Sequence, residues 1–272
     1  MKKLITNIIG TYFNIGVYFF PKKIREQAFS LLCKVKPIPV SKEAATYFKN
    51  TTYLKTDFGD AALHSWGNGT EKILFLHGWL SYSIRWKPYI DQLDTSKYTI
   101  YSLDAPGHGF GKEKYLNIEV YRQAYANALA EIGEVDTVIT HSLGGLVAGY
   151  GFLENPSISI KKYCIMGAPA DMNAIFDYSK KILSLSDKMV EELLIKANEI
   201  LKLPTSDITM KTFFSNVKKP VLVVHDTHDK ITPIEPIKRA INNDTATYFT
   251  ENQGHNLRDN SIVETVIAYI KN

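Results

Sequence analysis

Val138-Ile139-Thr140-His141-Ser142-Leu143-Gly144-Gly145 is an apolar strand end that runs into a turn of small residues and then into a helical pattern. A serine at such a junction stands exposed at the end of a rigid element. The sharp strand-to-helix elbow strains its backbone and tolerates only small neighbours, here Gly144 and Gly145. A serine hydroxyl is a weak nucleophile at neutral pH, so Ser142 needs a general base beside it. The elbow also aims the next backbone N–H, that of Leu143, at whatever meets the hydroxyl.

Outward from this stretch, near-continuous apolar runs repeat: Ile73 to Leu76 and Tyr98 to Leu103 before it, Tyr163 to Met166 and Val221 to Val224 after it. Strands this apolar are covered on both faces. Helical patterns at Arg85 to Leu93 and Val120 to Ile132 alternate with them, as a parallel sheet with crossovers requires. Thr52 to Thr56 and Ala61 to Trp66 flank Phe58-Gly59-Asp60 and predict antiparallel edge strands. The tail predicts a helix over Ile234 to Ile241, a strand over Ala246 to Thr250 and a closing helix from Leu257 to Ile270. From Asp171 to about Leu203 the chain reads as helix after helix, too long for a plain connection, and an apolar helical insertion beside a site serves as a lid. The expected division is a helical extension over 1–50, an α/β core over 51–170 and 204–272, and a helical lid over 171–203.

The 272 residues suit one large domain, and 45% hydrophobic with 22% charged residues is ordinary for a folded chain. The formal net charge of +4 comes from scattered lysines, and no aromatic-plus-basic module is visible, so no nucleic-acid partner is expected. Cys33 and Cys164 fall in a helix and a buried strand, which predicts free thiols in a reducing, cytoplasmic setting. The amino terminus is amphipathic. Asn7, Thr11, Asn14 and Tyr18 share one helical stripe, and Ile5, Ile8, Ile9, Tyr12, Ile15 and Phe19 cover the other side. No small-residue cleavage site precedes Pro21-Lys22-Lys23, so the helix is expected to pack on its own domain, the alternative being peripheral membrane contact through Leu4 to Phe20.

Four further polar or glycine-bearing clusters follow predicted strands, where open parallel sheets bind ligands. In Leu76-His77-Gly78-Trp79-Leu80 the glycine lets the loop turn back, so that the Trp79 N–H can join that of Leu143 as an oxyanion hole. Asp104 to Gly109 reads as a pocket wall in which Asp104 holds backbone donors, and His108 lies too early in the chain to be the preferred base. His225 to Pro233 offers an acid to orient an imidazole, Asp229 with Asp226 as the alternative. Gln253-Gly254-His255-Asn256 supplies that imidazole. His77, His141 and, in the insertion, Phe176 are candidate substrate contacts.

Taken together, His77-Gly78-Trp79, Asp104 to Gly109, His141 to Gly144, the Asp229 loop and Gly254-His255 resemble a serine hydrolase of the α/β-hydrolase family, from about Thr51 to the end. The resemblance implies a mostly parallel eight-stranded sheet with helices on both faces and the lid between strands 6 and 7. It also implies a nucleophile elbow and a catalytic triad of Ser142, Asp229 and His255, with Trp79 and Leu143 as oxyanion donors. No metal or other cofactor is implied. The expected activity is cleavage of an ester-like bond in a small apolar acyl or aryl substrate through an acyl-enzyme. Thioesterase, C–C hydrolase and cofactor-free perhydrolase chemistry use the same triad, and a non-catalytic binding member is the rival from another class. The chain departs from the family at Thr140, where the elbow usually carries glycine and where a β-branched side chain should crowd the serine.

Overall fold

A computed structural model describes residues 2–272, with side chains from Leu4 onward. Its strands are β1 (Asn50–Thr56), β2 (Gly59–Trp66), β3 (Glu71–Leu76), β4 (Tyr98–Asp104), β5 (Val135–His141), β6 (Ile160–Met166), β7 (Val221–Asp226) and β8 (Ala246–Thr250). They form one sheet of eight strands in the order β1-β2-β4-β3-β5-β6-β7-β8. β2 runs antiparallel to both β1 and β4, and the other pairings are parallel. From β3 the chain moves to β4 on one side, and from β5 to β6 on the other. The crevice beyond the carboxyl ends of β3 and β5 is therefore the topological switch point, the place where such sheets hold ligands. Leu76 and Thr140 are register partners there, which sets the loop after β3 beside the elbow after β5.

Side chains alternate along each strand, so one strand feeds two cores. Leu74, Leu76 and Val138 join one buried cluster, which includes residues of α5 (Ile118–Ile132), α6 (Leu143–Glu154), α9 (Met210–Asn216) and α10 (Ile234–Ala240). Ile73, Phe75 and Ile139 join the other, with the one-turn α4 (Lys87–Ile90) and α11 (Asn260–Lys271). Phe75 stacks on Trp86 there with ring centroids 4.9 Å apart. Burying a side chain of that size contributes about 1.5–3 kcal/mol, which is why both faces need a helical layer. Cys33 and Cys164 are buried free thiols, and burial pushes the Cys33 thiol up to about 12.

Three element boundaries differ from the sequence expectation, each for a local reason. The helix expected over Arg85 to Leu93 is a 3₁₀ turn at Ser83–Trp86 followed by α4, because Pro88 has no N–H with which to continue an earlier helix. α11 starts at Asn260 and not at Leu257, which adopts φ +49°; Asp259 caps the helix by accepting the Ser261 N–H at 2.9 Å. The second helix, whose pattern in the sequence predicts Ile24 to Lys34, is α2 (Pro21–Cys33) and begins earlier, with Pro21 in its first turn. A short α3 (Lys42–Tyr47) then leads into β1.

Between β6 and β7 lie α7 (Met172–Leu183) and α8 (Asp187–Ile200). The hairpin of α1 (Lys2–Phe19) and α2 seats on this pair: Arg25 meets Glu192 at 3.4 Å and Glu199 at 2.9 Å. The face by which α1 packs falls between the two expected stripes: of the apolar one Ile9 packs on the core, and of the polar one Asn14 turns inward while Asn7, Thr11 and Tyr18 are exposed. Gly10, Phe13 and Val17 are buried, whereas Ile5, Ile8, Tyr12, Ile15 and Phe19 are each more than half exposed. Two features select that face. Gly10 sits so close to the Leu183 carbonyl that a Cβ would come within 1.7 Å of its oxygen. Asn14 closes the α7–α8 junction, its amide donating to Ser184 O at 2.9 Å and its carbonyl accepting from Ser186 N at 2.7 Å. Hydrogen bonds owed by two helix ends outweigh a count of apolar residues. Among the described residues no helix is long and apolar enough to cross a membrane.

Candidate active site

Ser142 begins the turn from β5 into α6 with φ +53° and ψ −124°, a backbone that side chains rarely adopt. Its own N–H donates to Met166 O at 2.8 Å, which ties the elbow to β6. The glycines after it are required by space: a Cβ on Gly144 would lie 2.7 Å from Leu76 O, and one on Gly145 would lie 2.7 Å from the Ala168 Cβ. Gly78 is equally confined, since a Cβ there would stand 2.8 Å from the Ser142 Cβ. Thr140 is accommodated within the sheet, its side chain turned toward β6 and Gly145. It is the penultimate residue of β5, fully buried, and its hydroxyl donates to Cys164 O on β6 at 3.2 Å. The room for it comes from position 145, where a Cβ would approach Thr140 Oγ1 to 3.2 Å. The crowding expected of a β-branched residue is thus absorbed by the adjoining glycine and strand.

Three sequence-distant residues meet at this point. Ser142 Oγ lies 2.8 Å from His255 Nε2, and His255 Nδ1 lies 2.7 Å from Asp229 Oδ2. Asp229 Oδ1 accepts the N–H groups of Ile231 at 2.8 Å and Thr232 at 3.0 Å. Burial works to raise the Asp229 pKa, but the hydrogen bond and charge of His255 with the two Thr232 bonds outweigh it, and the carboxyl is held below its ordinary value. The side chain of Asp226 points elsewhere. Its oxygens accept His228 N at 2.9 Å, Thr250 Oγ1 at 2.9 Å and Gln253 N at 2.8 Å, which pins the loops after β7 and β8.

Two amides near Ser142 have no acceptor among the described residues, those of Trp79 and of Leu143, the first residue of α6. The loop carrying Trp79 is held from behind by two histidines. His77 is fully buried, its Nδ1–H donating to Gly78 O at 2.7 Å and its Nε2 accepting Ala105 N–H at 3.0 Å. His108 donates from Nδ1 to Pro106 O at 3.1 Å and accepts the Leu80 N–H on Nε2 at 3.1 Å. Burial holds both neutral, His108 at about 3. Asp104, also fully buried, accepts Ser83 N at 2.6 Å, Phe110 N at 2.9 Å and His64 Nε2 at 3.1 Å, the wall role read for it.

The three expected substrate contacts are placed otherwise. His77 spends both ring nitrogens on backbone atoms. His141 is buried with Nε2 on His255 O at 2.8 Å, bracing the loop that bears the imidazole, and Phe176 belongs to the hydrophobic core. Sequence reasoning missed Thr232, whose hydroxyl donates to Asp229 Oδ2 at 2.8 Å and lies 3.0 Å from His255 Nδ1. It missed Arg85 too, a buried guanidinium that donates to Asn256 O at 3.1 Å. Thr232 carried a signal, three residues after the acid in a tight loop; Arg85 carried none.

Residues 73–193 match the alpha/beta hydrolase family. A segment of 90 residues, a third of this chain and a third of the relative, is 31% identical to the pimeloyl-(acyl-carrier protein) methyl ester esterase of Aliivibrio salmonicida. A segment of 93 residues is 33% identical to the acetyltransferase component of the acetoin cleaving system of Cupriavidus necator, covering a quarter of it. The chain thus spans a third or less of the curated relatives it matches. Among solved structures, alpha/beta hydrolase domain-containing protein 10 from mouse superposes with a TM-score of 0.62 over 82% of this chain and 97% of its own, at 17% identity. An esterase from Rhodococcus sp. ECU1013 gives 0.60 over 82% and 99%, at 16% identity. Strand order, switch-point elbow and these likenesses agree: the chain has the α/β-hydrolase fold, and its residues 73–193 are similar in sequence to that family.

Proposed function

We propose that the chain is a serine esterase that cleaves a carboxylic ester of a small apolar acyl or aryl group. The observation that carries this is the continuous hydrogen-bonded path from Ser142 Oγ through the His255 imidazole to the Asp229 carboxylate. His255 Nε2 takes the hydroxyl proton as Ser142 Oγ attacks the ester carbonyl, and the carbonyl electron pair moves onto oxygen. The N–H groups of Trp79 and Leu143 receive that oxyanion. Its collapse expels the alcohol, which leaves with the proton held by His255, and a water then repeats the sequence to free the acid. Asp229 keeps the imidazole in the tautomer that presents a bare Nε2 and steadies its charged form.

Ester-hydrolysing proteins among the likenesses support the same reaction class, and one relative is named for an acyl methyl ester. Labelling with a fluorophosphonate, followed by a panel of oxygen esters and thioesters of increasing acyl length, tests the proposal. The label is expected on Ser142, with oxygen esters turned over fastest. Labelling that survives Ser142→Ala, or an enzyme inert to the whole panel, overturns it.

A further inference from the structure

We infer that the outward face of α1 docks the protein on the surface of an anionic lipid bilayer. Leu4, Ile5, Ile8, Tyr12, Ile15, Tyr18 and Phe19 occupy one arc of the helix, Phe20 continues it at the hairpin joint, and each is more than half exposed. Eight such side chains exceed the few hundred Å² of apolar patch that a free surface ordinarily carries. The face carries two tyrosines, Tyr12 donating its hydroxyl to Gln27 Oε1 at 2.9 Å and Tyr18 exposed, and an apolar ring with a polar tip suits a membrane interface. Charge points to the same partner. The first 25 residues contain Lys2, Lys3, Lys22, Lys23 and Arg25 and no acid, so the whole positive balance of a +4 chain resides in this hairpin. Arg25 is paired inward with Glu192 and Glu199, whereas Lys22 and Lys23 are exposed beside Phe19 and Phe20, without a partner among the described residues. Anionic headgroups attract such a cluster, and salt weakens the attraction. α1 also rests on α7, whose Tyr178 and Ile182 are exposed, so docking brings the bilayer next to the α7–α8 pair.

Flotation of the full chain with phosphatidylcholine vesicles, with and without about a third phosphatidylglycerol, tests this. The wild type is expected to float with the anionic vesicles and to be released by salt. Ile8→Glu with Ile15→Glu changes two exposed side chains and leaves the melting temperature unchanged, yet should lower the bound fraction about tenfold or more. Lys22→Glu with Lys23→Glu should lower it and flatten its salt dependence. Ser142→Ala should float like the wild type, so docking stands or falls separately from the chemistry. A wild type that stays with the unbound protein, or an Ile8/Ile15 variant that floats equally, overturns the inference. So does a dimer in sedimentation that the Ile8/Ile15 variant splits while neither form binds vesicles, which assigns the face to a second copy.

Discussion

His108 Nε2 accepts the backbone N–H of Leu80 at 3.1 Å, so an imidazole from the loop after β4 holds the loop after β3. Leu80 sits at φ +49°, a conformation that needs outside support. The adjoining amide is that of Trp79. Replacing His108 by Ala should therefore lower kcat about tenfold or more with KM little changed, since a misplaced oxyanion donor is felt in the transition state. His108→Gln keeps an acceptor and should recover part of the loss. Steady-state kinetics on one ester decides it; equal kcat in all three proteins removes His108 from the positioning of the loop.

The strain at Ser142 gives a prediction in which activity and stability move oppositely. A non-glycine residue at φ +53° costs about 1–3 kcal/mol relative to one that adopts it freely. Ser142→Gly should abolish ester turnover while raising the free energy of unfolding by about 1 kcal/mol. Ser142→Ala should abolish turnover with the melting temperature nearly unchanged. Calorimetry of the three proteins checks this, and a destabilised glycine variant would show that the elbow is not strained.

Asp229 and Asp226 lie three residues apart and do different work. Asp229→Asn removes the acceptor that fixes the His255 tautomer and should cost about 10³–10⁴ in kcat with a modest change in stability. Asp226→Asn disturbs three hydrogen bonds between the loops after β7 and β8. It should cost about 1–3 kcal/mol of stability and leave kcat within about tenfold. Measuring kcat and urea midpoints side by side separates the two, and the assignment fails if Asp226→Asn has the larger kinetic effect.

Sequence alone could not have ranked these two carboxylates by contact, because both follow one buried strand within four positions. What it could read were features with a strong local cause. The apolar runs that become β3 to β7 are covered on both faces and so lose any polar alternation, and the elbow glycines answer to close backbone approach. The outward turn of α1 was illegible for the opposite reason: Gly10 against Leu183 and Asn14 across the α7–α8 junction join residues some 170 positions apart. Thr232 and Arg85 likewise act on groups brought near only by the fold, and His77, His141 and Phe176 show that a polar or aromatic residue near a strand end can be spent on the backbone or the core.

Four buried histidines make stability depend on acid. His77, His108, His141 and His225 are each held neutral chiefly by burial, with His108 at about 3. The unfolded chain binds protons at these sites as pH falls through about 6.5, while the folded chain does not. Stability is therefore fully present above that value and lost progressively below it, by about 1.4 kcal/mol per pH unit for each such histidine. His108→Gln should reduce the slope by one proton between about pH 4 and 6. Urea midpoints taken across that range test it, and parallel curves for the two proteins would contradict the assignment.

Thr140 stands where the elbow of the α/β-hydrolase family that the chain resembles usually carries glycine, and introducing glycine should do harm. The side chain is fully buried, its hydroxyl donates to Cys164 O on the neighbouring strand, and the space it needs is left by Gly145. Thr140→Gly removes that bond, opens a small void and adds backbone freedom to a central strand, for a cost of about 2–3 kcal/mol. Thr140→Val keeps the shape and loses only the hydrogen bond, at about 1 kcal/mol. Since neither change touches Ser142 Oγ, the ester kcat should stay within about threefold in the valine variant. Denaturant unfolding and kinetics on both variants check this. A glycine variant that is as stable as the wild type and faster would mean that Thr140 does crowd the serine.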